Sequence, residues 1–501
     1  VLLALPSLLH HEVQPEDIGR DGEAHLLPAL ARGRLRWGLL APDAATTYSI
    51  NALHAGDATF LPGGFNNIHA ITAGSGNDAF VFSGAGELTG AIDAAGGNDT
   101  LDYTALASAV TIDLGLGSAT RTGGIAGFEN FIGGSGVNTL IGSDADTAWV
   151  INATDAGTIG SRTFQSFASL RGGAGIDTFT FDAAGTLTGT IDGAAGSDAI
   201  NGPAAASNYS ITGPGSGSIA AVLPAGFTGI ESINAGGAAD VFAFADGVLP
   251  TLAIDPGLGA DVADFTAWSA PLTLDLAALS PSFDQALAGP STGDTLVGRD
   301  FATSFTISGA DSGSAEALAF FGFENITGGS SDDTFNVGPG GSLTGVLAGG
   351  DGSDTLHGPN SVTNWMITGP ASGSLAPLPA GFTSIERLRG GAGDDVFAFA
   401  NGITPPADPA LLDPGGGTNT LDFSAWTGAL ALDLSDVAAG FSIYLGGAGA
   451  TDTLIARDAT NLWTLDTTDA GTLNGRTFSG FENVTGGAAD DTFSIASSGL
   501  L

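Results

Sequence analysis

The chain has 501 residues, of which 80 are Gly, one is Met and none is Cys. Acidic residues outnumber basic ones 53 to 12, for a net charge of −41, and every basic residue is Arg. Such a surface repels phosphate backbones, so a nucleic-acid partner is excluded, and without Cys there is no disulfide, thiolate metal site or Cys nucleophile. A hydrophobic content of 43% argues against a disordered acidic polymer, and no apolar run approaches the ~20 residues of a membrane span.

Residues 1–45 differ from the rest of the chain. They hold four of the 12 Arg and three of the six His, and they are poor in Gly. This stretch reads as a leader or linker, short and helical or irregular. The apolar run at 1–9 lacks a basic n-region and a clear cleavage site, which gives little support to a signal peptide. His10 and His11 beside Glu12 read as an exposed polar turn rather than a metal site. Beginning on Val1 and stopping inside a repeat at Leu501, the sequence reads as a piece of a longer protein.

From residue 46 onward the chain repeats itself. The string GFENITGGSSDDTF at 322–335 returns as GFENVTGGAADDTF at 480–493, with a looser copy, SFASLRGGAGIDTF, at 166–179. ITGPGSGSIAAVLPAGFTGIE begins at Ile211 and ITGPASGSLAPLPAGFTSIE at Ile367. DYTALASAVTIDL, DFTAWSAPLTLDL and DFSAWTGALALDL begin at Asp102, Asp264 and Asp422. These recurrences define modules of about 157 residues, placed at 46–140, 141–297, 298–455 and a truncated 456–501.

A finer period runs inside each module. Asp78 precedes Asp99, Asp177 precedes Asp198, Asp240 precedes Asp261 and Asp333 precedes Asp354, each by about 21 residues. Leu-Thr-Gly comes after the first member of three pairs, at Leu88, Leu187 and Leu343, and short β-prone runs such as TFTF and VFAF come after the Gly/Asp loops. A coil of that length closing on itself is one rung of an all-β, parallel β-solenoid, a β-roll or β-helix. Rungs of about 21 residues would stack some 22 deep at roughly 4.8 Å each. A globular sandwich gives no reason for loops to recur at one spacing.

Three stretches match G-G-x-G-x-D-x-U-x, where U is large and apolar. They start at Gly172, Gly349 and Gly390 and place Asp177, Asp354 and Asp395 at the acidic position. Near-matches place Asp78, Asp99, Asp198, Asp240, Asp333 and Asp491 there, and Asn138 and Asn419 substitute an amide. Gly lets the backbone turn sharply and expose carbonyls, Asp supplies anionic oxygen, and the apolar residue anchors the loop. Ca²⁺ takes six to eight hard oxygens at ~2.3–2.6 Å, so two loops on consecutive rungs would be needed to enclose one ion. The same residues can instead make tight turns, with Asp and Asn capping their own backbone. Both readings stay open.

This nonapeptide resembles that of the RTX, or haemolysin-type calcium-binding, family. The resemblance implies Ca²⁺ held between adjacent turns by Asp78, Asp99, Asp177, Asp198, Asp240, Asp261, Asp333, Asp354, Asp395 and Asp491 together with Gly-loop carbonyls. The chain departs from that family in one respect: its motifs come in isolated pairs, and the opposite edge carries Leu-Thr-Gly or variable sequence. The resemblance implies a stalk or adhesin-like segment of a large extracellular or cell-surface bacterial protein. Calcium ions are then its ligands, and a surface polysaccharide or another cell surface its partner. The alternatives are a metal-independent β-solenoid spacer and a polysaccharide-binding or -processing module.

An aromatic residue opens a short apolar strand before a Gly turn at Tyr48, Trp149, Tyr209, Phe305, Trp365 and Trp463. These read as a stacked interior ladder rather than as sugar platforms. The Phe-Glu-Asn strings at 323–325 and 481–483 read as a strand followed by a polar turn. Catalysis is not expected. Carboxylates are too numerous for any pair to be informative, and no Gly-x-Ser-x-Gly, His-Glu-x-x-His or phosphate loop is present.

Overall fold

A computed structural model describes residues 25–31, 34–449 and 451–498, with side chains from Trp37 onward. The apolar run at 1–9 and the His10–His11–Glu12 cluster lie outside the described residues. The chain divides into two compact units, Val1–Phe242 with Thr251–Gly259, and Ala243–Pro250 with Ala260–Leu501. Both are all-β. Among the described residues the helices are single 3₁₀ turns, such as Leu434–Asp436, capped by Asp433.

Parallel pairing of strands far apart in sequence makes each unit a β-solenoid. In the first unit, Thr47–Ala52 pairs with Ala79–Phe82, which pairs with Thr100–Asp102, and that with Asn130–Ile132. A second file runs from Thr111–Asp113 through Thr139–Ile141 and Ser169–Arg171 to Ile191–Asp192. In the second unit, Ser304–Gly309, Thr334–Val337, Thr355–His357 and Arg387–Arg389 stack in register. Opposite them stack Thr273–Asp275, Thr295–Val297, Asn325–Thr327 and Leu347–Ala348. The chain alternates between two such files, so each rung is two strands and two turns.

Most rung strands are three residues long with only the middle one buried. Leu101, Phe131, Leu140, Ile200, Ile233 and Ile326 are such middle residues. Burying each is worth roughly 1.5–3 kcal/mol, and a neighbouring rung supplies the cover.

The expectation of uniform 21-residue rungs needs correction. Rungs that start at the first Asp of a pair are 21 residues long, as between Asp78 and Asp99 or Asp333 and Asp354. A few are slightly longer, 22 to 24 residues, as between Leu272 and Asp294 or Asp395 and Asn419, and those that carry a hairpin take 30 to 33 residues. The extra length is a hairpin excursion. Thr47–Ala52, Ala55–Ala58 and Leu61–Asn66 form an antiparallel triple, whose first strand also pairs in parallel with Ala79–Phe82. The same triple recurs from Thr147–Ala153, Asn208–Gly213, Ser304–Gly309, Asn364–Gly369 and Leu462–Thr467.

Each triple opens on one of the six recurrent aromatics, and all six are buried. They stack on a Phe of the next rung: Tyr48 on Phe80 at 4.4 Å, Trp149 on Phe179 at 5.5 Å and Phe305 on Phe335 at 5.0 Å. The middle strand carries Gly at 56, 157, 217, 313, 373 and 471. A Cβ on Gly313 would lie 1.9 Å from the Thr306 carbonyl oxygen and 3.0 Å from the ring of Phe320. Gly is therefore required for the third strand's Phe to lie over the second.

Two stretches of the 1–45 leader are strand rather than helical or irregular. His25–Ala31 and Arg34–Leu40 form a hairpin, and the latter pairs in parallel with Ile68–Thr72.

Candidate functional site: the acidic ladder

The Gly/Asp turns bring the predicted acidic residues onto successive rungs. Asp78, Asp99, Asp177, Asp198, Asp240, Asp261, Asp333, Asp354 and Asp395 are buried to 2% exposure or less, and Asp491 is half-buried. A carboxylate is held inside because backbone amides of the adjacent rung point at it. Thr303 N donates to Asp333 Oδ1 at 2.7 Å, Asp333 N to Asp354 Oδ1 at 2.7 Å, and Asp354 N to Glu386 Oε2 at 2.9 Å. The first unit repeats this file as Thr46, Asp78, Asp99 and Glu129, with bonds of 2.7, 2.7 and 2.9 Å. Asp177 N donates to Asp198 Oδ1 and Asp198 N to Glu231 Oε2, both at 2.7 Å. Amide bonds to an ionised acceptor contribute about 1.5–3 kcal/mol each.

The remaining predicted positions join shorter files. Asp395 accepts from Thr363 N at 2.9 Å, and its own amide reaches Asn419 Oδ1 at 2.8 Å. Asp491 accepts from Asn461 N at 2.9 Å. Asp240 accepts from Ser207 N at 2.7 Å, and Asp261 donates its amide to Asp284 Oδ2 at 2.8 Å. Asp240 and Asp261 belong to different units.

The second carboxylate oxygen has two fates. In Asp177, Asp333 and Asp395 it accepts from the Gly amide four residues earlier, at 2.9, 2.6 and 3.0 Å, which closes the Gly turn on itself. In Asp78, Asp99, Asp198 and Asp354 the buried Oδ2 meets no donor among the described residues. Asn138 shows what this position accommodates. Its Oδ1 takes Val110 N at 2.9 Å, and its Nδ2 donates to the Gly134 and Ser166 carbonyls, both at 2.7 Å.

Burial is the leading cause of the electrostatic shifts. It raises the carboxyls of Asp99, Asp177, Asp198, Asp333 and Asp395, against the amide bonds that pull them down. Asp78 and Asp354 are pushed up to about 6, with the paired carboxylate of the neighbouring rung adding to the effect.

Several participants escape sequence reasoning. Glu129, Glu231, Glu324, Glu386 and Glu482 cap the ladder files from the strand after each hairpin. The available signal is the recurrent Phe-Glu or Ile-Glu at that point. Asp294 and Asp452 are fully buried and accept from Leu272 N and Leu430 N. Their mark in the sequence is Asp-Thr-Leu without the full Gly motif. The Leu-Thr-Gly strings also gain a role. Asp155, at one hairpin tip, accepts from both N and Oγ1 of Thr188, and Asp311 accepts from Thr344 N at 2.7 Å. His54 takes the same place against Thr89 Oγ1 at 2.9 Å.

The fit of Ca²⁺ can be judged from these donors. A divalent ion needs six to eight oxygens converging on one point. The ladder surrounds its carboxylates with N–H groups, which favour an anion and repel a cation. Asp333 and Asp395 have both oxygens engaged by amides. Among the described residues, no three His, Asp or Glu side chains converge on one metal position. The donor set suits backbone capping better than chelation. The oxygens that remain for a cation include the unpartnered Oδ2 atoms of Asp78, Asp99, Asp198 and Asp354 and the Oδ1 atom of Asp177. The module aromatics, being buried, offer no platform for a sugar ring. No protein-family model matches the chain, and no curated protein matches it.

Proposed function

We propose that the chain is a structural β-solenoid segment, a spacer or stalk whose rungs are locked by an amide-to-carboxylate ladder that needs no metal. One observation carries this reading: the same inter-rung bond is made by Asp354 toward Asp333 and by the neutral Asn419 toward Asp395, at 2.7 and 2.8 Å. A bond that an uncharged amide forms equally well is backbone capping. The acidic surface and the absence of Cys suit an extracellular or cell-surface setting, where the segment would hold other parts of a protein apart. The reading assigns no catalysis to the chain.

The test is thermal unfolding after EDTA treatment and again in millimolar Ca²⁺. A midpoint that stays within about 1 °C supports the ladder, since a ligand that binds the folded state raises stability by mass action.

A second reading is favoured by the unpartnered Oδ2 atoms of Asp99, Asp198 and Asp354. In a calcium-stiffened stalk of the kind the RTX resemblance implies, these oxygens and the nearby turn carbonyls would face the ion. A rise of several degrees in Ca²⁺, reversed by EDTA and absent in Asp198→Asn, would select it.

A further inference from the structure

Three of the six His lie beyond residue 45, and two of those three meet. The rings of His54 and His69 are 3.9 Å apart, centre to centre, and inclined at 35°. Both side chains are half-buried. His54 is the turn residue between Thr47–Ala52 and Ala55–Ala58, at the tip of the first hairpin triple, with φ +58°. Three later triples hold Asp155, Asp311 and Asp469 at this tip in the same left-handed conformation, at +52°, +48° and +54°. The tip carbonyl fixes the chain that returns from the triple. His54 O accepts from Ile68 N at 3.0 Å, as Asp311 O does from Phe323 N at 3.1 Å and Asp469 O from Phe481 N at 3.3 Å. The residue that follows is His69 in the first triple, and Glu324 or Glu482 in the other two.

The first triple thus carries two imidazoles where those tipped by Asp311 and Asp469 carry two carboxylates. That exchange alters the chemistry of the tip. Carboxylates offer hard oxygen, which suits Ca²⁺ and Mg²⁺. A neutral imidazole offers one nitrogen lone pair, which suits Zn²⁺, Cu²⁺ and Ni²⁺. His54 Nε2 lies 2.9 Å from Thr89 Oγ1, a hydroxyl that already holds the ring at the tip. His69 Nδ1 is buried and meets no hydrogen-bond partner among the described residues. A ring nitrogen in that state costs free energy that a metal bond would recover. An ion bonded at ~2.0–2.1 Å to one nitrogen of each ring keeps those nitrogens ~3–3.5 Å apart. Rings with centres 3.9 Å apart reach that arrangement by a small rotation of the His54 side chain.

We propose that His54 and His69 form a two-imidazole site for a divalent ion of the zinc and copper class, with Thr89 Oγ1 and water in the remaining positions. Its ligands come from the hairpin tip and from the strand Ile68–Thr72, which only the folded triple brings together. The ion therefore pins the tip to the rung and raises the stability of the folded chain by mass action. With two protein ligands the site is open, so its affinity is moderate. It is separate from the acidic ladder, whose carboxylates are lined by amides and would take a hard cation if they took any.

The test uses the full chain with His10, His11 and His25 replaced by Gln, so that no other His of the first 45 residues competes. Titration calorimetry with Cu²⁺ is expected to show one equivalent bound with a Kd below about 100 µM. Millimolar Ca²⁺ should leave that binding unchanged, and His54→Gln or His69→Gln should weaken it at least about tenfold. The electron paramagnetic resonance spectrum of the bound Cu²⁺ should show coupling to two imidazole nitrogens. Zn²⁺ should raise the melting temperature of this chain and not that of its His69→Gln variant. Circular dichroism checks that each variant folds, and the nitrogen count in the unsubstituted site decides if one does not. No binding up to millimolar Cu²⁺, fewer than two nitrogens, displacement by Ca²⁺ or indifference to either substitution would overturn the assignment. The spacer reading is tested with Ca²⁺ and this site with Cu²⁺ and Zn²⁺, so either can fail without the other.

Discussion

The amide of Asp333 donates to Oδ1 of Asp354, 2.7 Å away and 21 residues further along the chain. The bond ties one rung to the next and leaves Oδ2 of Asp354 buried without a donor. Near that point, Gly349 sits between Asp354 Oδ2 and the Ser384 carbonyl, as Gly133 sits between Asn138 Nδ2 and the Ser166 carbonyl. An amide in place of the carboxyl would therefore find its partners waiting. Asp354→Asn is expected to match or exceed the wild-type melting temperature at neutral pH. Asp354→Ala removes the acceptor and strands the Asp333 amide, at a cost of about 1–3 kcal/mol. Parallel thermal and urea unfolding of the two variants checks this, and a destabilised Asn variant would contradict it.

Stability should rise on mild acidification. The carboxyls of Asp78 and Asp354 are pushed up to about 6 by burial, above their ordinary 3.8. Between those values the folded chain holds more protons than the unfolded one, so unfolding free energy falls as pH increases. The melting temperature should therefore climb as pH drops from about 7 toward about 4.5, as the burial penalty on these charges is relieved. Replacing both residues by Asn should flatten the slope. A profile that is flat in the wild type, or unchanged in the double variant, would remove the burial argument.

The Glu caps make a separate prediction. Glu324 Oε2 accepts from both Gly293 N and Asp294 N, at 2.8 and 2.7 Å. Glu324→Ala should release two amides and cost more than Glu482→Ala, since Glu482 accepts from Asp452 N alone. Hydrogen exchange should report faster exchange at residues 293 and 294, with the distant file at Asp78 unchanged.

Gly313→Ala tests the hairpin excursion. Its new Cβ would meet the Thr306 carbonyl oxygen at 1.9 Å and the Phe320 ring at 3.0 Å, so the third strand must move outward. A loss of about 1–3 kcal/mol is expected, the usual cost of overpacking. Phe320→Leu combined with Gly313→Ala should lose less than the two changes summed, because they share one contact.

Much of this arrangement is legible in the amino-acid sequence. The spacing of Asp78 and Asp99, or Asp333 and Asp354, reflects real stacking, because a fixed pitch forces equal chain lengths between equivalent turns. The recurrence of Tyr48, Trp149 and Trp463 reports an interior stack, since a parallel solenoid places like positions over like. Uniform rung length fails for a physical reason. The segments after those aromatics look like single strands ending in Gly turns, yet they fold into antiparallel triples that lengthen the rung without disturbing the files on either side. Glu324 and Glu386 are hidden because their partners lie about 30 residues earlier, and a Glu beside a strand reads as solvated. The choice between capping and chelation is not legible, since Gly and Asp serve either one. It turns on whether N–H groups or carbonyls face the carboxylate.

Ladder bonds join only nearest-neighbour rungs, and that bears on how the chain yields to force. A pull applied along the stack meets ladder bonds only to the adjacent rung, so rungs should peel away singly, like turns unwinding from a spool. At roughly 3.5 Å per extended residue, a 21-residue turn releases about 7 nm and a hairpin-bearing one about 11 nm. Single-molecule stretching would then show two step sizes, in the order in which paired and hairpin-bearing turns occur along the polypeptide.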